Sequence, residues 1–128
     1  MSVLVTDDGF DKQDWAADLN PAQILDLPSD TDPEGVKIAA DVTLIRVDFP
    51  SFSDGRGFTI ARVLRRLGYG GKLRASGHVI ADQYAMARRS GFDEVEISDE
   101  LAARQPEGQW KFRANWQAHD YQSRLRTG

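Results

Sequence analysis

Charged and apolar residues alternate with a period of two along three short segments, and this pattern constrains the fold more than any other. The clearest segment is Thr43–Phe49, whose sequence TLIRVDF places Arg46 and Asp48 between apolar residues. Segments 72–76 and 94–97 show the same alternation. Because successive side chains of a β-strand point to opposite faces of a sheet, one face is predicted to be apolar and the other charged.

Two amphipathic helices are predicted between these strands. From Ile60 onward, apolar residues recur at i, i+3, i+4 and i+7 until Gly68 ends the helix. A second helix is predicted from Val79 to Ser90, closed by Gly91. Two such stripes cover only one face of a sheet. The predicted fold is therefore α/β, with repeated strand–helix units and a parallel sheet carrying helices mainly on one face, like half of a barrel.

Shorter elements flank this core. A hairpin with an Asp-Gly turn is predicted at the N-terminus, and a strand at residues 23–27. A short helix is predicted from Pro33 to Ala40, with Asp32 as its N-cap. Ser98 is a candidate cap for another short helix, and residues 112–125 are predicted to be helical.

Length and composition narrow the class of protein. At 128 residues the chain is predicted to be one domain, with an N-terminal extension (1–22), an α/β core (23–105) and a tail (106–128). With no cysteine, the chain offers no disulfide, thiolate ligand or thiol redox group. It opens without a basic segment leading into an apolar one, and no run approaches membrane-spanning length, so we expect a cytoplasmic protein.

The net charge of −4 conceals a basic middle third. Residues 51–91 carry eight basic and two acidic side chains, whereas residues 1–50 carry three basic and eleven acidic ones. A locally basic region in an acidic protein favours a small anion or an acidic protein surface as partner. It does not favour nucleic acid, because the field of the whole molecule is negative.

The loops at the carboxyl ends of parallel strands usually carry the function of such folds. One of these loops contains the sequence Asp-Gly-Arg-Gly at residues 54–57 and leads into the first predicted helix. The start of the second predicted helix lies close to the end of the next strand. Helix N-termini and arginines both attract anions. The residues predicted to bind a small oxyanion are Arg56, Gly57, Arg74, Gly77 and His78.

Other interpretations of the same residues remain open. Asp48 and Asp54 are the candidate catalytic acid–base residues. Alternatively, the loop is a structural turn in which Asp54 caps the helix and Arg56 bridges to Asp48. His119 has no companion at ligand spacing, so no metal site is predicted, and no nucleotide-binding fingerprint is present.

The charged sheet face also has several possible roles. Its residues could form solvent-exposed ion pairs, which contribute little to stability. They could instead form a binding face, or the contact surface of a homodimer that closes two half-barrels on each other.

Several consecutive motifs resemble one bacterial family. The run DFPSFSDGRGF at residues 48–58 is followed by the helix ARVLR at 61–65, then by LRASGHV at 73–79 and RRSGFD at 88–93. This pattern is similar to that of the domain of unknown function 934 family, and the resemblance extends over roughly residues 41–97. The family often has aspartate where this chain has His78.

The resemblance implies a role in sulfur metabolism. Members of that family are described as probable oxidoreductases or accessory proteins of sulfite reduction, because they are encoded beside assimilatory sulfite reductase. One hypothesis is an accessory or docking protein without turnover, whose partner is sulfite reductase or another sulfate-assimilation protein. The alternative is a small half-barrel enzyme, for example an oxidoreductase with an unidentified cofactor. It would act on a sulfur oxyanion or a phosphorylated metabolite, which Arg56 and Arg74 would clamp.

Overall fold

The computed structural model describes residues 2–11, 13–114 and 116. Within them lies one sheet of six strands. The strands are β1 (Ser2–Thr6), β2 (Gly9–Asp11), β3 (Ile24–Leu27), β4 (Leu44–Phe49), β5 (Lys72–Gly77) and β6 (Glu94–Ser98). The α-helices are α1 (Arg56–Arg66), α2 (Tyr84–Ser90), α3 (Asp99–Arg104) and α4 (Glu107–Arg113). Short 3-10 helices occur at Trp15–Asp18, Pro21–Gln23, Pro33–Gly35 and Ala81–Gln83.

The strand order explains why the helices gather on one side. Across the sheet the order is β2-β1-β6-β5-β4-β3, and the four strands β3 to β6 are parallel and adjacent in chain order. When every right-handed crossover moves in the same direction, the connecting segments fall on the same face. The antiparallel hairpin β1–β2 extends the sheet beyond β6. The predicted fold class and the N-terminal hairpin are confirmed.

Strand register separates the two faces as the alternation predicts. Ile45 lies opposite Leu73, while Arg46 lies opposite Arg74 on the other face. All four α-helices of the described residues contribute side chains to a single core over the apolar face. These core residues are Phe58, Ile60, Ala61 and Leu64 of α1, Tyr84 and Ala87 of α2, Leu101 of α3 and Trp110 of α4.

Helix α1 forms as its apolar stripe predicts. Its stripe packs on β4, and Gly68 follows the helix in a left-handed conformation (φ 102°). Arg65 fixes the C-terminal end, because its guanidinium donates hydrogen bonds to the carbonyls of Tyr69, Gly71 and Gly91. The last turn of α1 is thereby joined to the end of α2.

Two predicted helices are shorter than the sequence indicates. Asp32 does cap a helix, by accepting a hydrogen bond from the Glu34 amide, but only the 3-10 turn Pro33–Gly35 follows it. The expected continuation to Ala40 is wrong. After Gly35, β-branched residues at 36 and 38 turn inward to pack on the core, and tertiary packing overrides the helical pattern.

The helix predicted from Val79 to Ser90 also begins later than expected. Gly77 adopts a left-handed conformation (φ 117°), and Ile80 is extended, so α2 begins only at Tyr84 after a 3-10 turn. Gly77 and His78 therefore do not form a helix N-terminus, which corrects that part of the predicted anion site. Ser98 does cap α3, by accepting a hydrogen bond from the Leu101 amide.

The C-terminal part is described only as far as α4 and Trp116. Trp110 of α4 is buried, and its ring contacts Tyr84 edge-on at 6.1 Å between centroids. Most of the predicted helix 112–125 lies outside the described residues. None of the helices in the described part combines the length and apolar character needed to cross a membrane.

Replacement of Gly57 by alanine is expected to destabilise the fold. A β-carbon at this position would overlap the ring of Phe49, which is fixed in the core. Overpacking of this kind costs about 1–3 kcal/mol, more than the helix propensity that alanine adds. Gly70→Ala is the matched control, because open space surrounds Gly70. Urea unfolding should show a lower free energy of unfolding for Gly57→Ala only. Equal urea midpoints for both variants would contradict the packing of Gly57 against Phe49.

Candidate functional site

The loop between β4 and α1 is closed by its own ion pair. Arg56 donates from Nε to Asp54 Oδ1 at 3.0 Å and from Nη2 to Asp54 Oδ2 at 2.7 Å. The Arg56 amide also donates to Asp54 Oδ1, at 3.1 Å. These hydrogen bonds from Arg56 hold the pKa of Asp54 well below its ordinary value. A carboxylate of this kind is a poor general base, and it already occupies the helix N-terminus where an anion was expected.

Arg56 nevertheless keeps part of its surface open. Its side chain is 59% exposed, and Nη2 donates a second hydrogen bond to the Ser29 hydroxyl at 3.0 Å. Together with Thr31 and Thr59, these two residues line a cavity of about 310 Å³. The partner of Arg56 is Asp54, so the expected bridge to Asp48 does not form.

Phe49 explains why two of the predicted site residues are glycines. The ring of Phe49 lies where a side chain at Gly57 would be. The carbonyl oxygen of Phe49 lies 2.7 Å from the position that a β-carbon of Gly77 would take. Both glycines therefore allow the backbone to approach Phe49 closely, a steric role that requires no ligand.

His78 lies at the surface beside Phe52. Its amide donates to the Phe49 carbonyl at 2.9 Å, and its Nδ1 lies 3.2 Å from the same oxygen. The rings of His78 and Phe52 meet edge-on with centroids 5.1 Å apart. Gln83 Nε2 donates to the Phe52 carbonyl and so fixes the loop. An exposed aromatic pair thus lies at the carboxyl end of β4 and β5.

Arg74 is enclosed by three carboxylates on the polar face. Its side chain is 0% exposed, with Asp14 accepting from Nη1 and Nη2 at 2.8 Å each. Glu94 Oε2 accepts from Nε at 2.6 Å, and Glu96 Oε1 accepts from Nη1 at 2.9 Å. Burial alone would lower the pKa of Arg74, but the bonds to Asp14 and Glu94 outweigh it and raise that pKa. This geometry fits a structural role for Arg74 rather than an anion site.

The N-terminal segment reaches this cluster through Trp15. The Trp15 indole Nε1 donates to both Glu94 oxygens, at 3.0 and 3.1 Å, and its ring lies 5.9 Å from the Arg74 guanidinium carbon. Ala16, the next residue, is buried. Residues 14–16 therefore cover part of the polar face and hold the buried charge in place.

Sequence patterns identify neither Asp14 nor Trp15, because their partner Arg74 lies about 60 residues further along the chain. The one available signal is Arg74 itself, an arginine between apolar residues in a strand. Such a buried charge requires a partner, but the sequence does not say which of the many carboxylates provides it.

Asp48 lies apart from the loop and from Arg74. It lines an open cavity of about 480 Å³ on the polar face, together with residues of β3 and β5 and with Arg46. Arg46 is paired with Asp26, at 2.6 and 2.9 Å. The hydrogen bonds that Arg46 donates to Asp26 raise the pKa of Arg46.

The predicted site residues are therefore distributed over separate places. Arg56 lines one cavity and Asp48 another, Arg74 is enclosed by carboxylates, and His78 packs on Phe52. A further cavity, of about 650 Å³, lies at the amino ends of the strands and includes Arg65, whose guanidinium is held by backbone carbonyls. Across the described ranges, no group of three or more histidine or carboxylate side chains is arranged to hold a metal ion.

The fold defines a small α/β protein whose sheet is covered by helices on one face. The chain belongs to the family described as "bacterial protein of unknown function (DUF934)", which it matches over residues 24–127. The predicted family resemblance is confirmed. Comparison with curated proteins and with solved structures gave no match.

Replacement of Arg74 is expected to lower the free energy of unfolding of the protein. Arg74→Met leaves Glu94, which is 5% exposed, without its cation, and breaking a buried pair costs about 3–5 kcal/mol. Arg46→Met is the control, because its partner Asp26 is 64% exposed and such pairs contribute at most about 1 kcal/mol. Urea unfolding measures both variants. Equal losses of unfolding free energy in the two variants would show that the burial of Arg74 does not increase the cost of breaking its ion pairs.

The contribution of Asp14 is expected to depend on pH. The hydrogen bond from Arg74 lowers the pKa of Asp14, so its carboxylate stabilises the fold above the ordinary pKa of 3.8. That contribution is lost as the pH falls through the lower pKa of the folded state. The difference in unfolding free energy between the wild type and Asp14→Asn should be largest at neutral pH and should decrease in acid. A difference that grows in acid would contradict this sign.

Proposed function

We propose that this protein is an accessory or docking protein of assimilatory sulfate or sulfite reduction, acting in the cytoplasm. The observation that carries the proposal is the pairing of charged side chains at the predicted site. Arg74 is bound by Asp14, Glu94 and Glu96, and Asp54 is bound by Arg56. These groups stabilise the fold. The resemblance of the sequence motifs to a family encoded beside sulfite reductase supports the choice of pathway.

The exposed loop at the carboxyl end of the sheet suits contact with a protein partner. Phe52 is 43% exposed, and its position is fixed by His78 and by the hydrogen bond from Gln83. Aromatic side chains held rigidly at a surface are frequent anchors of protein interfaces. Arg56 follows the same loop at the start of α1, and its side chain, paired with Asp54, remains 59% exposed.

The proposal is tested by capture of sulfite reductase from the same organism with the purified full-length chain. We expect the wild type to retain the enzyme, and Phe52→Ala to weaken the complex about tenfold or more, as loss of an interface anchor does. Phe112→Ala is the matched control, because Phe112 is also exposed but lies on α4. Biolayer interferometry with the purified enzyme gives the affinities.

Two results would remove the proposal. One is failure of the wild-type chain to bind sulfite reductase or another enzyme of sulfate assimilation. The other is a deletion strain that grows on sulfate as sole sulfur source as fast as its parent.

A second candidate is a small half-barrel enzyme acting on a sulfur oxyanion or a phosphorylated metabolite. The cavity beside Arg56 favours it, since the exposed guanidinium and the hydroxyl of Thr59 are suitable donors to an oxyanion. Thermal-shift measurements with sulfite, sulfate, phosphate and nucleotides test this candidate. A ligand at about a hundred times its dissociation constant stabilises the fold by roughly 2.7 kcal/mol. A shift that persists in Arg56→Ala, or no shift at all, excludes the cavity as the binding site.

A further inference from the structure

The cavity on the polar face lies apart from the surfaces to which the functions above were assigned. It is found where β3, β4 and β5 end, and its volume is about 480 Å³. Small-molecule sites have volumes of about 300–1,000 Å³, and in parallel sheets they lie at the carboxyl ends of the strands. The residues that line it are Asp26, Leu27, Pro28, Arg46, Asp48 and Ser76.

Strand register brings the polar side chains of this cavity together. Asp26 lies opposite Arg46, and Asp48 lies opposite Ser76. Three neighbouring strands therefore each direct polar groups to the same face and the same end of the sheet. The arrangement is set by the backbone, so it does not depend on a mobile loop.

Three groups around the cavity have hydrogen-bonding capacity left over. Asp26 accepts from Nε and Nη2 of Arg46, at 2.6 and 2.9 Å, which leaves Nη1 of Arg46 without an acceptor among the described residues. Asp48 is exposed and Ser76 is half-buried, and within the same ranges neither side chain is hydrogen-bonded to another protein group. One acceptor and two donors thus border a single space.

We propose that this cavity binds a small zwitterion, namely a free α-amino acid. The ammonium group of the ligand donates to the Asp48 carboxylate. The carboxylate of the ligand accepts from Nη1 of Arg46 and from the Ser76 hydroxyl. Both contacts are charge-assisted hydrogen bonds, the strongest class available to a small ligand without a metal.

The balance of charge favours a ligand that carries both signs. Two carboxylates, Asp26 and Asp48, face one guanidinium, so an anion without a positive group enters a negative environment. A simple cation would bind to Asp48 alone and would make no use of Nη1 of Arg46 or of the Ser76 hydroxyl. A zwitterion satisfies both sets of groups and adds no net charge.

The spacing of the strand suits a ligand of this size. Arg46 and Asp48 are two residues apart on β4, so their α-carbons are separated by about 7 Å. The ammonium and carboxylate of an α-amino acid are attached to the same carbon. Asp48 and Arg46 therefore present opposite charges to a small ligand from the same strand, and Pro28 offers an apolar wall to its side chain.

The test is a nuclear magnetic resonance titration of the full-length chain with L-alanine. Acetate and methylamine, each with only one of the two charges, serve as comparison ligands. We expect saturable shifts at the amides of Asp26, Asp48 and Ser76 with L-alanine, and binding at least about tenfold weaker with either comparison ligand. Asp48→Asn should weaken L-alanine binding about tenfold or more.

Asp41→Asn is the matched control, because Asp41 is exposed, precedes the other end of β4 and has no ion pair among the described residues. It should bind L-alanine as the wild type does, and circular dichroism should show the same melting temperature for all three proteins. No saturable shift with L-alanine, equal affinity for acetate, or unchanged affinity in Asp48→Asn would each overturn the proposal. Capture of sulfite reductase by Asp48→Asn separates this site from the docking function, since the docking surface contains neither Asp48 nor Arg46.

Discussion

The polar side of this sheet depends on one fully buried guanidinium. Arg74 lies at the centre of the sheet, where desolvation of a charge costs several kcal/mol unless partners compensate. Glu94 and Glu96 come from the neighbouring strand, and Asp14 comes from the N-terminal extension. Because the third partner is so distant in sequence, the buried charge connects the extension to the core and covers the central strands.

The two faces of the sheet thus have different physical roles. The apolar face carries the helices and supplies the hydrophobic stabilisation of the domain. The polar face is stabilised by charge pairing at its centre, around Arg74. Towards the carboxyl ends of the strands it becomes open, and there Asp48 and Ser76 border a cavity. The charged residues that stabilise the fold therefore lie near the middle of the strands, whereas those that are accessible to a ligand lie near the carboxyl ends.

Features set by local patterns were predictable from the sequence. The alternation around Arg46 and Asp48 fixes which residues share a face, because side-chain direction in a strand follows from backbone geometry alone. The apolar stripe of α1 and its end at Gly68 follow from the helical period in the same way. The fold class depends on these two periods, and so it could be predicted.

Features set by distant partners were not predictable. The pairing of Arg74 with Asp14, and that of Arg56 with Asp54 rather than Asp48, depend on which carboxylates the fold brings close. The left-handed turn at Gly77 moved the start of α2 away from His78, and so removed one half of the predicted anion site. In each case the sequence pointed to a basic residue or a glycine, but tertiary contacts decided what that residue does.

The most direct test of this account is the side-chain resonance of Arg74 in a ¹⁵N-labelled sample. A guanidinium enclosed by Asp14, Glu94 and Glu96 should give a resolved Nε–Hε signal that exchanges slowly with water and does not move when sulfate, sulfite or phosphate is added. A signal that exchanges as fast as that of an exposed arginine, or that shifts saturably with any of these anions, would contradict it.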